Sequence, residues 1–195
     1  MNKYKSSNLK KYKDPIARVP LNCFLRTLQH VLDSLGVSDI LDAGCGEGFV
    51  VKYLISRNSN LIIEGIDING EAIVTSKEFC PEAIFHKADI CKSGYPDKSF
   101  DLVLVTEVLE HLSNPEVAIV EVKRLTRRYC VFSVPLEPYY RLCNLFLGKN
   151  LKRLGSPPEH LWSWSLKQFQ LLLQKYFGKI VLKISFPWVI AVCEV

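Results

Sequence analysis

Several carboxylates, a run of alternating glycines and two histidines are the residues of this chain whose types and spacing could do chemistry. In the stretch Ile40 to Val51 an apolar lead-in meets Asp42, then Gly44, Gly46 and Gly48 at every second position, then an apolar pattern at helical spacing. That order reads as a strand, a tight turn and the start of a helix. Glycine is needed where a turn demands positive φ and where a ligand must come closer to the backbone than a Cβ allows. The first N–H groups of the new helix are expected to be open to a polar ligand. A dinucleotide loop would read Gly-x-Gly-x-x-Gly and cradle a pyrophosphate. Here the third glycine comes one place early, and Asp42 and Glu47 set two carboxylates beside the turn. Such company suits a ligand that carries a cation.

Further acidic residues follow at strand ends. The run Leu61 to Asp67 reads as a second buried strand closing on a carboxylate, which can accept from both hydroxyls of a ribose. Taken alone, Asp67 says nucleoside without saying which. Asp89 follows a short third strand, Ala83 to His86, and is open to a plainer role as a turn residue bonding its own backbone. After the most apolar strand, Phe100 to Thr106, comes Glu107-Val108-Leu109-Glu110-His111-Leu112. His111 has a side chain able to accept a proton at neutral pH. It could equally just fix the loop, and Glu110 could be a structural carboxylate.

The segment Leu41 to Gly48 resembles the first motif of the class I S-adenosylmethionine-dependent methyltransferases, and the later matches fall in the same order. The Leu109-Glu110-His111 wording is similar to that of the type 11/12, quinone-biosynthesis-like enzymes. The resemblance implies S-adenosyl-L-methionine as cofactor, held by Asp42, Ala43, Gly44, Cys45, Gly46 and Gly48 around the loop, and by Asp67 and Ile68. It further implies Asp89 on the adenine amino group, Ile90 packed on the ring, and Glu107 bordering cofactor or substrate. His111 becomes the candidate base. The segment Gly155 to Trp162 loosely echoes a quinone-type motif and makes His160 a second catalytic candidate. Although quinone-type relatives can use a divalent ion, no metal is expected here.

The elements that must position these groups alternate. A helix is predicted from Pro20 to Leu35, stopped by Gly36; others run to about Arg57, from Glu71 to Cys80 and from Pro115 to Leu125. A fifth strand, Tyr129 to Val134, precedes a final helix capped by Ser165. Lys179 to Phe186 and Trp188 to Val195, divided only by Pro187, imply an antiparallel hairpin at the sheet edge. The expected fold is therefore α/β: a Rossmann-like, doubly wound sheet of seven strands, mostly parallel, with helices on both faces. The resemblance adds the strand order 3-2-1-4-5-7-6.

One domain over residues 1–195 is expected, with a basic tail at 1–13 and a substrate-binding insertion at 136–164. Within that insertion Leu142, Leu145 and Phe146 share a helical face. This face could be a lid over a lipophilic acceptor, a segment making transient membrane-surface contact, or core. The chain has 48% hydrophobic and 23% charged residues and a net charge of +5, an ordinary soluble balance. The basic cluster Lys123, Arg124, Arg127 and Arg128 falls near a helix end, where the dipole favours cations, so nucleic acid is not called for. Seven scattered cysteines without a C-x-x-C pair, and no apolar leader, point to a reducing cytoplasm.

The implied reaction moves a methyl group to an O, N or C nucleophile of a small or lipophilic acceptor. A NAD(P)-dependent oxidoreductase shares the Asp67 argument, but the glycine spacing and the lack of a Tyr-x-x-x-Lys constellation count against it. A methyltransferase-like binding subunit that has lost turnover is the other rival.

Overall fold

A computed structural model describes residues 15–195. The expected tail at 1–13 lies outside them. Seven strands form one sheet: β1 (Asp39–Ala43), β2 (Ile62–Asp67), β3 (Ile84–Lys87), β4 (Phe100–Thr106), β5 (Thr126–Pro135), β6 (Lys179–Ser185) and β7 (Trp188–Glu194). Their order is β3-β2-β1-β4-β5-β7-β6. β1 to β5 pair in parallel, and β7 runs antiparallel to both β5 and β6. The expected sheet, order and closing hairpin are all present.

Apolar periodicity decides which helix covers which face. α1 (Pro15–Leu35), α2 (Phe49–Arg57) and α3 (Gly70–Phe79) lie on one side, where Leu25, Leu28, Leu32, Val51, Leu54 and Ile73 meet β-strand residues such as Ile40, Ile63 and Leu104. On the other side α4 (Pro115–Leu125) and α6 (Leu166–Gln174) bring Ile119, Val122, Phe169 and Leu173 onto Leu41, Val103 and Phe132. Covered on both faces, β4 needs a continuous apolar run instead of an alternating one, and Leu102 to Val105 are all fully buried. Helix starts are fixed by short polar side chains. Asn69 accepts from Glu71 N, Asn114 from Glu116 N beside Pro115, and Ser165 forms a reciprocal box with Gln168.

Beside shifts of a residue or so, such as β3 at Ile84–Lys87 in place of 83–86, two boundaries differ from expectation in ways that bear on the site. α1 begins at Pro15 and runs through Pro20, which the sequence reading took as the first helical residue. β5 begins at Thr126, so Arg127 and Arg128 lie on a strand and not at a helix end. Their charges are matched by neighbours instead: Arg127 pairs with Asp39 and Asp101, Arg128 lies over the Tyr129 ring, and Arg124 binds Glu121 and Asp97. The cluster is thus tied into the fold, another reason it does not demand a polyanion.

α5 (Tyr139–Phe146) and a 3₁₀ turn at Leu151–Arg153 fill the insertion. α5 buries none of its residues, which removes the core reading of that segment.

Candidate cofactor and acceptor site

The turn from β1 to α2 sets Gly44, Gly46 and Gly48 at φ of 92°, 53° and 76°. Residues with a Cβ rarely occupy that region. Space is equally restrictive at Gly44, where a Cβ would stand 2.3 Å from Val108 Cγ2. This curl turns the loop's N–H groups inward. Gly44 N and Cys45 N donate to the Ile66 carbonyl at 2.7 and 2.9 Å, and Gly48 N donates to the Cys45 carbonyl at 3.0 Å. Gly46 N donates to Asp67 Oδ2 at 2.9 Å. Gly44, Gly46 and Gly48, left-handed at alternate positions, close the loop over the end of β2, and these loop amides are used within the fold; the amides expected to be open are the first of the helix, which begins at Phe49. The Cβ directions of Gly44 and Gly48 face Val108 and Phe85 with Ser76, so these glycines let the loop pack closely while it holds the Asp67 carboxylate.

Asp42 sits beneath this loop on β1, flanked by Gly65 of β2 and Leu104 of β4, and is fully buried. Neither of its oxygens has a hydrogen-bond partner among the described residues. Burial, and secondarily the charge of Asp67, pushes its carboxyl up from 3.8 to about 7. An unsatisfied buried carboxylate is costly unless a cation, a hydrogen-bond donor or a proton reaches it. Ala43 and Cys45 lie beside it, also buried, and serve packing: burial pushes the Cys45 thiol up, and a Cβ on Gly65 would strike Cys45 Sγ.

Asp67 occupies the end of β2 as expected. Its Oδ1 accepts from Asn69 N at 2.8 Å and its Oδ2 from Gly46 N, which leaves each oxygen a further lone pair. Ile68 beside it is 66% exposed, an apolar side chain with no core to join. Asp89 Oδ1 accepts from Cys91 N at 2.8 Å, while the Asp89 carbonyl accepts from Lys92 N. That is the turn role foreseen as its alternative. Ile90 is buried in the core under this edge.

A second group gathers past β4. Glu107 adopts φ 57°, uncommon outside glycine, and its carboxylate accepts from Ser133 Oγ at 3.1 Å and from Trp188 Nε1 at 2.6 Å. Thus β4, β5 and β7 are joined at one carboxylate. His111 and His160, far apart in sequence, meet edge to face with ring centroids 4.9 Å apart. His111 Nδ1 lies 3.1 Å from the Glu159 carbonyl, so Nδ1 carries the proton and Nε2 is the basic nitrogen. The Tyr140 ring of α5 stacks on His160 at 5.8 Å. Glu110 is buried, and its carbonyl accepts from Leu161 N and Trp162 N.

A carboxylate oxygen of Glu110 and one ring nitrogen each of His111 and His160 lie within 4.8 Å of one another. Sequence reasoning treated Glu110 as structural; its adjacency to His111 was the available signal. Tyr140 and Trp188 were missed as well, and nothing local to either residue marks it.

The nucleoside implied by the resemblance fits what is present. Asp42 offers two unsatisfied oxygens, Asp67 retains acceptor capacity and Ile68 exposes an apolar face. A sheet in this order, with a glycine turn after its first strand and an aspartate ending its second, defines the class I methyltransferase architecture. Residues 41–133 match the family described as a methyltransferase domain.

Among curated relatives, the chain is 30% identical over 121 residues to an uncharacterised methyltransferase of Schizosaccharomyces pombe, covering 56% of this chain and 42% of that one. It is 25% identical over 138 residues to a magnesium-protoporphyrin O-methyltransferase of Rhodobacter capsulatus, covering 67% and 60%. The chain therefore spans about half the length of these relatives. The crystal structure of magnesium protoporphyrin IX methyltransferase from Synechocystis, with bound S-adenosylhomocysteine, superposes with a TM-score of 0.72 at 15% identity over 97% of this chain and 94% of that one. At that identity the likeness is one of fold.

Proposed function

We propose that this chain is an S-adenosylmethionine-dependent methyltransferase acting on an O, N or C nucleophile of a small or lipophilic acceptor. The observation that carries the reading is Asp42, sealed under a glycine loop with both oxygens unsatisfied among the described residues. A sulfonium is the kind of cation such a carboxylate favours. S-adenosylmethionine, when bound, supplies an electrophilic methyl group.

The chain's own tasks are then to hold, align and keep dry. Asp67 accepts from ribose hydroxyls with its remaining lone pairs, Ile68 covers the purine, and Asp89 borders the adenine edge. Glu107, fixed by Ser133 and Trp188, separates the cofactor side from the acceptor side. His111 removes the acceptor proton through Nε2, its ring set by the Glu159 carbonyl. Alignment of acceptor and methyl can contribute up to ~7–11 kcal/mol, and a base ~10²–10⁴-fold. Residues 136–164 act as the lid, with Tyr140 of α5 stacked on His160. The seven cysteines are free thiols, which fits a cytoplasmic protein.

Calorimetry against S-adenosylmethionine, S-adenosylhomocysteine and NAD tests the assignment. Binding of the sulfur nucleosides without NAD supports it. Binding of NAD with no response to either sulfur nucleoside rejects it in favour of an oxidoreductase. Nucleoside binding without turnover on catechols, quinols and carboxylic acids would favour a binding subunit.

The grouping of Glu110, His111 and His160 favours a second reading of the acceptor side. One carboxylate and two imidazoles suit a borderline first-row ion such as Zn²⁺ or Mn²⁺. When bound, such an ion supplies Lewis-acid polarisation of an acceptor oxygen. His111 would then be a ligand, its Nδ1 proton directed at a backbone carbonyl as ligating histidines commonly are. Titration of metal-stripped protein with Zn²⁺ and Mn²⁺, repeated on His160→Ala, separates the two: a stoichiometric site lost in the variant makes His111 a ligand, and no binding leaves it the base.

A further inference from the structure

The insertion presents an apolar surface that the fold does not use. Phe146 is 90% exposed, Leu154 73% and Leu151 61%, with Leu142 and Leu147 beside them on α5 and its continuation. α5 has an amphipathic sequence yet buries no residue. Charge around this surface has one dominant sign. Between Tyr139 and Trp162 the chain carries Arg141, which pairs with Glu137, and Lys149, Lys152 and Arg153 against a single carboxylate, Glu159. Lys149, Lys152 and Arg153 are exposed, interleaved with the exposed leucines.

Scattered exposed apolar residues need no explanation, but a contiguous set on one short element does. Apolar side chains on an amphipathic helix, followed by a turn in which leucines are interleaved with lysine and arginine, are the composition of an interfacial segment. The inner side of the same helix carries Tyr140, stacked on His160 at the candidate acceptor site. No helix among the described residues is long and apolar enough to cross a bilayer, so the contact is with the surface.

We propose that α5 and the 3₁₀ turn after it dock this protein on an anionic lipid bilayer, with Phe146, Leu151 and Leu154 in the acyl boundary and Lys152 and Arg153 on the headgroups. The consequence for chemistry rests on the methyltransferase reading: a docked lid opens the acceptor side toward the lipid phase, so the acceptor is a membrane-dissolved molecule. The docking itself does not depend on that reading.

Co-sedimentation of the full chain with phosphatidylcholine vesicles, with and without phosphatidylglycerol, tests it. Binding is expected to the anionic vesicles, weakened by salt. Lys152→Glu with Arg153→Glu should lower it more than tenfold, since each basic residue near such a surface contributes roughly fivefold. Phe146→Ser with Leu151→Ser and Leu154→Ser should abolish it while leaving the melting temperature and S-adenosylmethionine calorimetry unchanged. Equal binding to neutral vesicles, no binding to either, or binding that survives both variants overturns the proposal. So does a self-association or protein contact, without vesicle binding, that the serine variant breaks. Loss of nucleoside binding with docking intact would refute the enzyme reading alone.

Discussion

Replacing Asp42 with asparagine separates the charge of that side chain from its shape. In the folded protein the Asp42 carboxyl is raised from 3.8 to about 7, first by burial and then by Asp67. Its folded pKa lies above its unfolded one, so the folded state holds the proton more tightly and stability falls as pH rises from about 4 to about 7, then levels. A shift of about three units corresponds to roughly 4 kcal/mol at most. For a chain of this size 1 kcal/mol moves the midpoint by roughly 2–4 °C, so the unliganded protein should melt on the order of 10 °C lower at pH 8 than this group alone would allow at pH 4. Asparagine carries an unpaired-amide cost of its own, but that cost is the same at both pH values. The readout is therefore the difference in melting temperature between Asp42→Asn and wild type at pH 4.5 and at pH 8, by scanning fluorimetry without ligand. The variant should gain on the wild type as pH rises. It should also lose the preference for the cationic S-adenosylmethionine over neutral S-adenosylhomocysteine above pH 7. Parallel pH profiles for the two proteins would refute the reasoning, because they would mean that Asp42 carries no titrating charge in this window.

Three further outcomes follow from the geometry. Gly44→Ala should cost about 2–4 kcal/mol in urea unfolding, because the φ of 92° and the 2.3 Å approach to Val108 are both incompatible with a Cβ. Ile68→Asp should leave the melting temperature within a degree or two and weaken nucleoside binding about tenfold in calorimetry, as Ile68 is 66% exposed and supports no core. Glu121 is held at about 2, chiefly by Arg124 and also by Ser93, so its contribution is full above its ordinary value of 4.5 and fades as pH falls toward 2. Glu121→Gln should therefore cost about 1–2 kcal/mol at pH 7 and progressively less in acid, measured by urea melts across pH.

Most of the architecture was legible because each element carries its own period. Leu102 to Val105 read as a central, apolar strand, and Ser165 marked a helix start to the residue. The glycine turn and Asp67 were equally plain, since only a few residue types can serve at a tight turn and a strand end. What the turn does with its amides was not legible: Gly44, Cys45 and Gly46 donate to Ile66 and Asp67, partners supplied by the next strand. The burial of Asp42 has the same origin, being decided by β2 and β4 on either side. Glu110 and His111 meet His160 only through the path of the insertion, and Trp188 reaches Glu107 only through the antiparallel return of β7. Pro20 misled in the opposite direction, because proline at a helix start is common and α1 instead continues past it.

That bond between Trp188 and Glu107 bears on biosynthesis. The groups offered to the nucleoside all lie before residue 91, on strands that pair with one another and with β4, whereas Glu107 receives its indole donor only after the antiparallel return near residue 188. A nascent polypeptide emerging from the ribosome could thus form β1 and β2 with their carboxylates early, yet Glu107 would stay without its indole brace until β7 had been made. The brace on Glu107 is therefore a late contact in the order of synthesis, set by the strand that returns antiparallel to β5.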